Sequence, residues 1–229
     1  MKRCTLCRTL TRKEVPQCLR CEGGAFDDAS VEVIDDRYAV ERVLGQGGMG
    51  VVYLAHDLDL ARPVALKTIT PQRAHSARLR HLLRREAAAL ATIRHPHVVQ
   101  VHSFGPHRQG VFFAMEWVRG ATLQELLDES RKSPVPVPIH RALRVILCVA
   151  DGLAAVHTAG LVHCDVKPAN IVIEEGTGRP VLVDFGLARP LVAGPLRESV
   201  GTPCYMAPEQ SPRRREDVLM SPASDVYSL

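Results

Sequence analysis

The chain has 229 residues, room for one domain of ordinary size plus a small module, or for a large domain cut short. Hydrophobic residues at 46% and charged residues at 24% exclude a disordered chain, and no apolar run is long enough to span a bilayer. The net charge is +4, but residues 1–20 hold six basic residues against one acidic, which leaves a balance of −1 for the rest. That body has no basic footprint, which argues against nucleic acid as a partner; only the N-terminal tip is basic. Met1-Lys2-Arg3-Cys4 leads into no apolar stretch, so no secretory signal is expected and a cytoplasmic, reducing setting is.

Four of the seven cysteines form two Cys-x2-Cys pairs, Cys4/Cys7 and Cys18/Cys21, with ten residues between them. Cys148, Cys164 and Cys204 are scattered, and an odd count without a secretory signal argues against a disulfide framework. Each pair fits one tight turn, and four thiolates so placed suit tetrahedral Zn2+. Redox thiols and an iron–sulfur cluster are the rivals. A segment this short cannot build a core, so metal binding would supply its folding energy. The predicted organisation is a zinc-ribbon-like segment over 1–24, an acidic linker over 25–36 and a main domain over 37–229.

Within that domain, Tyr38–Leu44, Val51–Ala55 and Val64–Ile69 read as strands around a glycine turn. Leu79, Leu82, Leu83, Ala87, Leu90 and Ile93 are spaced by three or four and predict a helix over 78–93, stopped by His95-Pro96. Val98–Val101 and Val111–Glu116 return to strand. Thr122–Leu127 opens a short helix, and the prolines at 134, 136 and 138 interrupt the chain. Leu143, Ile146, Val149, Ala150, Leu153 and Val156 form the stripe of a longer helix over 141–157. Ile171–Ile173 and Val181–Val183 are short strands flanking a turn at 176–178.

The glycine turn reads Gly45-Gln46-Gly47-Gly48-Met49-Gly50. No Lys-Ser or Lys-Thr follows, so it is not a P-loop, and Val51-Val52-Tyr53-Leu54 is β-type, so the helix of a dinucleotide fold is not expected. Two readings stay open: a hairpin lid whose glycines let the backbone approach nucleotide phosphates, and a plain hairpin turn. Lys67, one strand later, can reach the α- and β-phosphates. Glu86 on the following helix is either its partner or an ordinary helix charge.

Three further motifs follow: His163-Cys164-Asp165-Val166-Lys167-Pro168-Ala169-Asn170, then Asp184-Phe185-Gly186, then Gly201-Thr202-Pro203-Cys204-Tyr205-Met206-Ala207-Pro208-Glu209. With these in order, residues 37–229 resemble the eukaryotic-type protein kinases, and the Gly-Gly-Met-Gly lid and Asp-Val-Lys-Pro-Ala-Asn loop resemble the bacterial Ser/Thr branch. The resemblance implies an α+β, two-lobed fold, with a β-rich small lobe over about 37–118 and a helical, partial large lobe over 119–229. It implies transfer of the ATP γ-phosphate to Ser/Thr hydroxyls of protein substrates. Asp165 would be the base, Lys167 would neutralise the transferring group, and Lys67 and Glu86 would form the phosphate-holding pair. Asn170 and Asp184 would hold Mg2+ (or Mn2+). Leu44, Gly45, Gln46, Gly47, Gly48, Met49 and Gly50 would cover the nucleotide. Val52, Ala65 and Val172 would sandwich the adenine, Met115 would be the gatekeeper, and Glu116 and Val118 would offer backbone groups to its edge. Leu90, Val101, His163 and Phe185 resemble the family's apolar spine, or are simple core. Lys67, Asp165, Asn170 and Asp184 are expected to act on one triphosphate.

Cys164 stands where the family has an Arg that pairs with a phosphate on the activation loop, and a thiol cannot make that contact. Ser199 is the one hydroxyl between Gly186 and Gly201. Both predict a kinase that loop phosphorylation does not switch, so Ser199→Ala should leave activity nearly unchanged. Cys164 is expected to be a buried small residue rather than a redox sensor. Asp225–Leu229 resembles the start of the large lobe's central helix, which implies an incomplete lobe. Glu209 is then expected to lack its partner, the 141–157 helix to lose cover, and the chain alone to be weakly active or inactive. A nucleotide-binding scaffold or pseudokinase and a zinc-ribbon nucleic-acid binder are the alternatives. The full set of Lys67, Glu86, Asp165, Lys167, Asn170 and Asp184 argues against the first, and the −1 balance of the body against the second.

Overall fold

A computed structural model describes residues 1–7, 9–28, 31–47, 50–69, 84, 87–107, 110–133, 135–185, 189–190, 202–210 and 220–229. The chain divides into two units: Met1–Arg84 with Val101–Trp117, and Arg85–Gln100 with Val118–Leu229.

In the first unit, β1 (Lys2–Cys4), β2 (Leu10–Thr11) and β3 (Phe26–Asp28) form an antiparallel sheet in the order β2-β1-β3. The segment expected as a linker therefore supplies a strand to the ribbon. It supplies a second, β4 (Val33–Ile34), which pairs with the strand after it. Apolar burial explains both: the Lys2 ammonium lies 3.9 Å from the Phe26 ring centroid, and Ile34 enters the core.

Strands β5 (Tyr38–Gly47), β6 (Gly50–Asp57), β7 (Arg62–Ile69), β8 (Val101–His107) and β9 (Gly110–Glu116) complete a six-stranded antiparallel sheet in the order β4-β5-β6-β7-β9-β8. One face packs Ile34, Tyr38, Ala55, Val64, Leu66, Phe112 and Ala114 into a core. Tyr38 meets Phe112 edge-on at 5.5 Å, and its hydroxyl pairs with Ser103 Oγ at 2.7 Å, so the ring is buried without an orphan polar atom. Asp57 is buried, and Arg37 satisfies it with two parallel bonds of 2.9 and 2.8 Å. Gly50 has φ +150°, and a Cβ there would overlap the Thr68 carbonyl oxygen, so this turn position requires glycine.

The second unit begins with helix α1 over residues 87–92; the predicted residues Leu79, Leu82 and Leu83 lie outside the described residues. The segment after α1 joins this unit rather than the small-lobe range expected. Val98 bridges Leu182 in parallel, Leu182 N donates to His97 O at 2.9 Å and Val99 N to Leu182 O at 3.0 Å. The expected strand over 98–101 is thus a single bridge at Val98, and β8 starts separately at Val101.

Strands β10 (Gly120–Thr122), β12 (Ile171–Glu174) and β13 (Pro180–Leu182) form one small sheet, and β11 (Leu161–Val162) pairs with β14 (Arg189–Pro190). Helix α2 (Leu123–Arg131) carries a complete capping box between Thr122 and Glu125, a device worth about 1 kcal/mol. Helix α3 (Ile139–Thr158) buries Val149, Gly152, Leu153 and Val156. A Cβ at Gly152 would stand 3.0 Å from His97 O, so glycine permits that close approach. Leu143, Ile146 and Leu147 of α3 are exposed. A short helix, α4 (Pro222–Ser228), follows. Among the described residues no helix is long and apolar enough to cross a membrane.

Candidate active site and cysteine cluster

Strand register decides which small-lobe side chains share a face. Val52 lies opposite Lys67, Lys67 opposite Phe113 and Ala65 opposite Met115. Opposed residues of an antiparallel pair point the same way, so Val52, Ala65, Lys67 and Met115 lie together on the face away from the Leu66 and Ala114 core. Gly45 opposes Val52, Gln46 opposes Val51, and Gly47 opposes Gly50 at the hairpin end. Leu44 falls at a register shift in β5, and Glu116 opposes Val64 on the other face, with its backbone at the end of β9. Gly48, Met49, Glu86 and Ser199 lie outside the described residues.

The second unit holds the other candidates. Asp165 accepts at both oxygens: Thr202 Oγ1 donates to Oδ1 at 2.8 Å, and Lys167 Nζ at 2.7 Å and Asn170 Nδ2 at 3.0 Å donate to Oδ2. Lys167 also donates to Thr202 Oγ1 at 2.7 Å, and Asn170 to the Asp165 carbonyl at 2.8 Å. Asp165, Lys167, Asn170 and Thr202 are thus one hydrogen-bonded group, with Asn170 buried. The amide nitrogen of Asn170 is engaged, so a cation would meet its Oδ1. Asp184 follows Val183, whose N–H donates to Asn170 O at 2.8 Å, and precedes Phe185, whose ring lies 4.7 Å from that of His163. Val118 is buried, and Val172 opposes Val181.

A buried carboxylate holds this loop in place. Asp225 accepts from His163 N and Cys164 N, both at 2.8 Å, and pairs with His157 Nε2 at 2.8 Å. The clamp matters because Cys164 and Asp184 have φ of +66° and +63°. Left-handed backbone costs a non-glycine residue roughly 1–2 kcal/mol, and the charged bonds to Asp225 offset that cost at Cys164. His163 is wholly buried, and burial pushes its pKa down, so the ring is neutral. Its Nε2 faces Val183 O at 3.2 Å and its Nδ1 accepts from Asp165 N at 3.2 Å, which assigns the proton to Nε2. Cys164 is buried, as expected. Glu209 departs from expectation: Ser224 Oγ donates to it at 2.6 Å, because α4 brings a small hydroxyl within reach of the carboxylate.

Sequence reasoning assigned no role to Thr202 or Asp225, although both stand in the motifs quoted. Nor did it single out Gln210, which donates to Cys164 O at 2.9 Å. An apolar cavity of about 630 Å3 lies elsewhere, lined by Leu126 and Leu127 of α2, Val145 and Ile146 of α3, and Leu229.

In the ribbon, Cys4 and Cys21 Sγ are 3.5 Å apart, as are Cys7 and Cys18 Sγ, and all four sulfurs lie within 4.8 Å of one another. That spread is far beyond a disulfide and matches four thiolates around one tetrahedral ion with metal–sulfur bonds of about 2.3 Å. The residues therefore fit zinc. The Thr9 hydroxyl beside Cys7 pulls its thiol down to about 6 and the Cys7 backbone N–H lowers that of Cys4, while Cys21, against the pull of the Gly23 backbone N–H, is pushed up to about 12 by the neighbouring thiols and burial.

Residues 38–229 match the family model of the protein kinase domain. The serine/threonine-protein kinase PknL of Mycobacterium tuberculosis is 38% identical over 211 residues, covering 91% of this chain and 51% of the relative. The serine/threonine-protein kinase pkn2 of Myxococcus xanthus is 38% identical over 206 residues, 86% of this chain and 24% of its own length. The chain thus spans about half of the length of the first of these curated relatives and about a quarter of the second. The crystal structure of the Mycobacterium tuberculosis PknI kinase domain superposes with a TM-score of 0.67 at 31% identity, over 88% of this chain and 74% of that one. The chain belongs to the protein kinase family, in its bacterial Ser/Thr branch.

Proposed function

We propose that this chain is the catalytic part of a protein Ser/Thr kinase that moves the γ-phosphate of ATP onto Ser/Thr hydroxyls of protein substrates. The observation that carries the reading is the Asp165 group. Both of its oxygens are fixed by hydrogen bonds, so the carboxylate is poised to take the proton of an incoming hydroxyl. The Lys167 ammonium beside it would offset charge developing on the transferring group. Asn170 and Asp184 offer an amide and a carboxylate oxygen, the ligand chemistry of Mg2+ (or Mn2+), and the ion would neutralise phosphate charge. Lys67, with Glu86, would hold the α- and β-phosphates. The lid residues Leu44 to Gly50 would cover them, and Val52, Ala65, Met115, Glu116, Val118 and Val172 would hold the adenine. The intact Asp165 group favours catalysis over the scaffold reading.

The four ribbon thiols are proposed to hold Zn2+, on the strength of their mutual distances. The free state of all seven cysteines supports a reducing, cytoplasmic setting.

Titration with a fluorescent ATP analogue tests the nucleotide site. Binding should require Mg2+, and Asp184→Ala should weaken it about 10-fold or more, the loss of one charged metal ligand. Metal-independent binding that Asp184→Ala leaves unchanged would refute the assignment.

A further inference from the structure

The ribbon and the lid hairpin share a core. Leu10 of β2 is buried, and its buried partners are Ala39 of β5 and Leu58 just past β6. Met1, Val31 and Val33 pack around the same three residues. Leu10 thus packs on the face of the small-lobe sheet that points away from the Leu66 and Ala114 core. Arg12 adds a polar latch, donating from Nη2 to Asp36 O at 2.7 Å and to Asp59 Oδ1 at 3.1 Å.

His56 belongs to this contact. It opposes Ala39 in the β5–β6 register, so its ring points to the face that Leu10 covers. The ring is buried, burial and then the Arg20 charge push its pKa down, and Arg3 acts in the same direction. Among the described residues neither His56 Nε2 nor the buried Thr11 Oγ1 makes a hydrogen bond. Two buried polar atoms without partners weaken the contact that Leu10 and Arg12 build. Such a contact holds only while the ribbon keeps its shape, and the thiols sit one turn from it: Cys4 N donates to Thr9 O at 2.9 Å, and Arg3 pairs with Leu10.

We propose that the ribbon is a metal-dependent clamp on the base of the glycine hairpin. Metal at Cys4, Cys7, Cys18 and Cys21 fixes Thr9–Arg12, and Thr9–Arg12 holds β5 and β6 together at the end opposite the Gly45–Gly50 turn. The proposal rests on the zinc reading above. Loss of metal would loosen the two strands that carry the lid, although no ribbon residue is itself assigned to ATP.

The test is hydrogen exchange on the full chain, loaded with Zn2+ and then stripped with EDTA, with metal content measured in parallel. Stripping should speed exchange in residues 38–44 and 51–57 about 10-fold or more, while residues 149–156 of α3 stay unchanged. Leu10→Asp and Arg12→Ala, neither of them a metal ligand, should speed exchange in the same strands while the chain still holds one zinc. A chain that binds no zinc defeats the metal assignment and this proposal with it. A zinc-loaded chain whose ribbon opens on stripping while β5 and β6 keep their protection defeats this proposal alone. So does unchanged exchange in both variants.

Discussion

The six-stranded sheet and the catalytic loop are held by opposite means. In the sheet, each buried residue sits opposite another through register: Ala55 against Val64, Leu66 against Ala114, Ile34 against Tyr38. Stability there is spread over many apolar contacts. In the Asp165 loop, a strained turn at Cys164 is held by a few polar bonds, chiefly from Asp225, 61 positions away, and also from Gln210. The sheet is a distributed scaffold, while the loop hangs on a few polar bonds that reach far along the chain, with Asp225 holding both His163 and Cys164 next to Asp165.

Removing that clamp should have the largest effect on stability. Asp225→Ala leaves two buried backbone N–H groups without acceptors, each costing roughly 1–3 kcal/mol. Urea unfolding followed by hydrogen exchange should show the second unit weakened by about 2–5 kcal/mol, with β5–β9 unaffected. Equal loss in both units would erase the distinction drawn here.

Acid should act next, and on the sheet. The folded-state pKa of His56 is depressed, chiefly by burial, and the groups that act on it are Arg20, Arg3 and Asp57. The neutral ring is therefore favoured in the fold, and its contribution is present above the ordinary value of about 6.5 and lost as pH falls below it. Exchange in residues 38–57 should accelerate between about pH 7 and pH 5, and His56→Leu should flatten that response. An identical pH response in the variant would assign the effect to other groups.

The smallest effect is expected on the exposed stripe of α3. Leu147 is 69% exposed, so Leu147→Lys should shift unfolding by no more than about 0.5 kcal/mol. A larger loss would mean that this face is covered in solution.

The readable part of the sequence follows the same division. The β-type runs around the glycine turn mark the strands from Tyr38 to Ile69, and register then carries Val52, Ala65, Lys67 and Met115 to one face. The Cys-x2-Cys spacing located the thiol cluster. The boundary at 25–36 was misread because Phe26–Asp28 and Val33–Ile34 are too short for a periodic signal. The acidic residues around them read as linker, yet pairing with β1 and β5 fixes both strands. Val98–Val101 reads as strand, yet Val98 and Val99 bond to Leu182 in the second unit, a partnership no local pattern encodes. Asp225 and Thr202 carry the loop, but a carboxylate near the end of a chain and a Thr before a Pro look like surface residues until the backbone brings them to Cys164 and Asp165.

The most direct test of the central claim is γ-phosphate transfer from radiolabelled ATP to a Ser/Thr-containing protein, comparing the chain with Asp165→Asn. The account predicts slow, Mg2+-dependent labelling of Ser/Thr that the variant lowers by about 100-fold or more, the usual size of a general-base contribution. Labelling that Asp165→Asn leaves intact would contradict it.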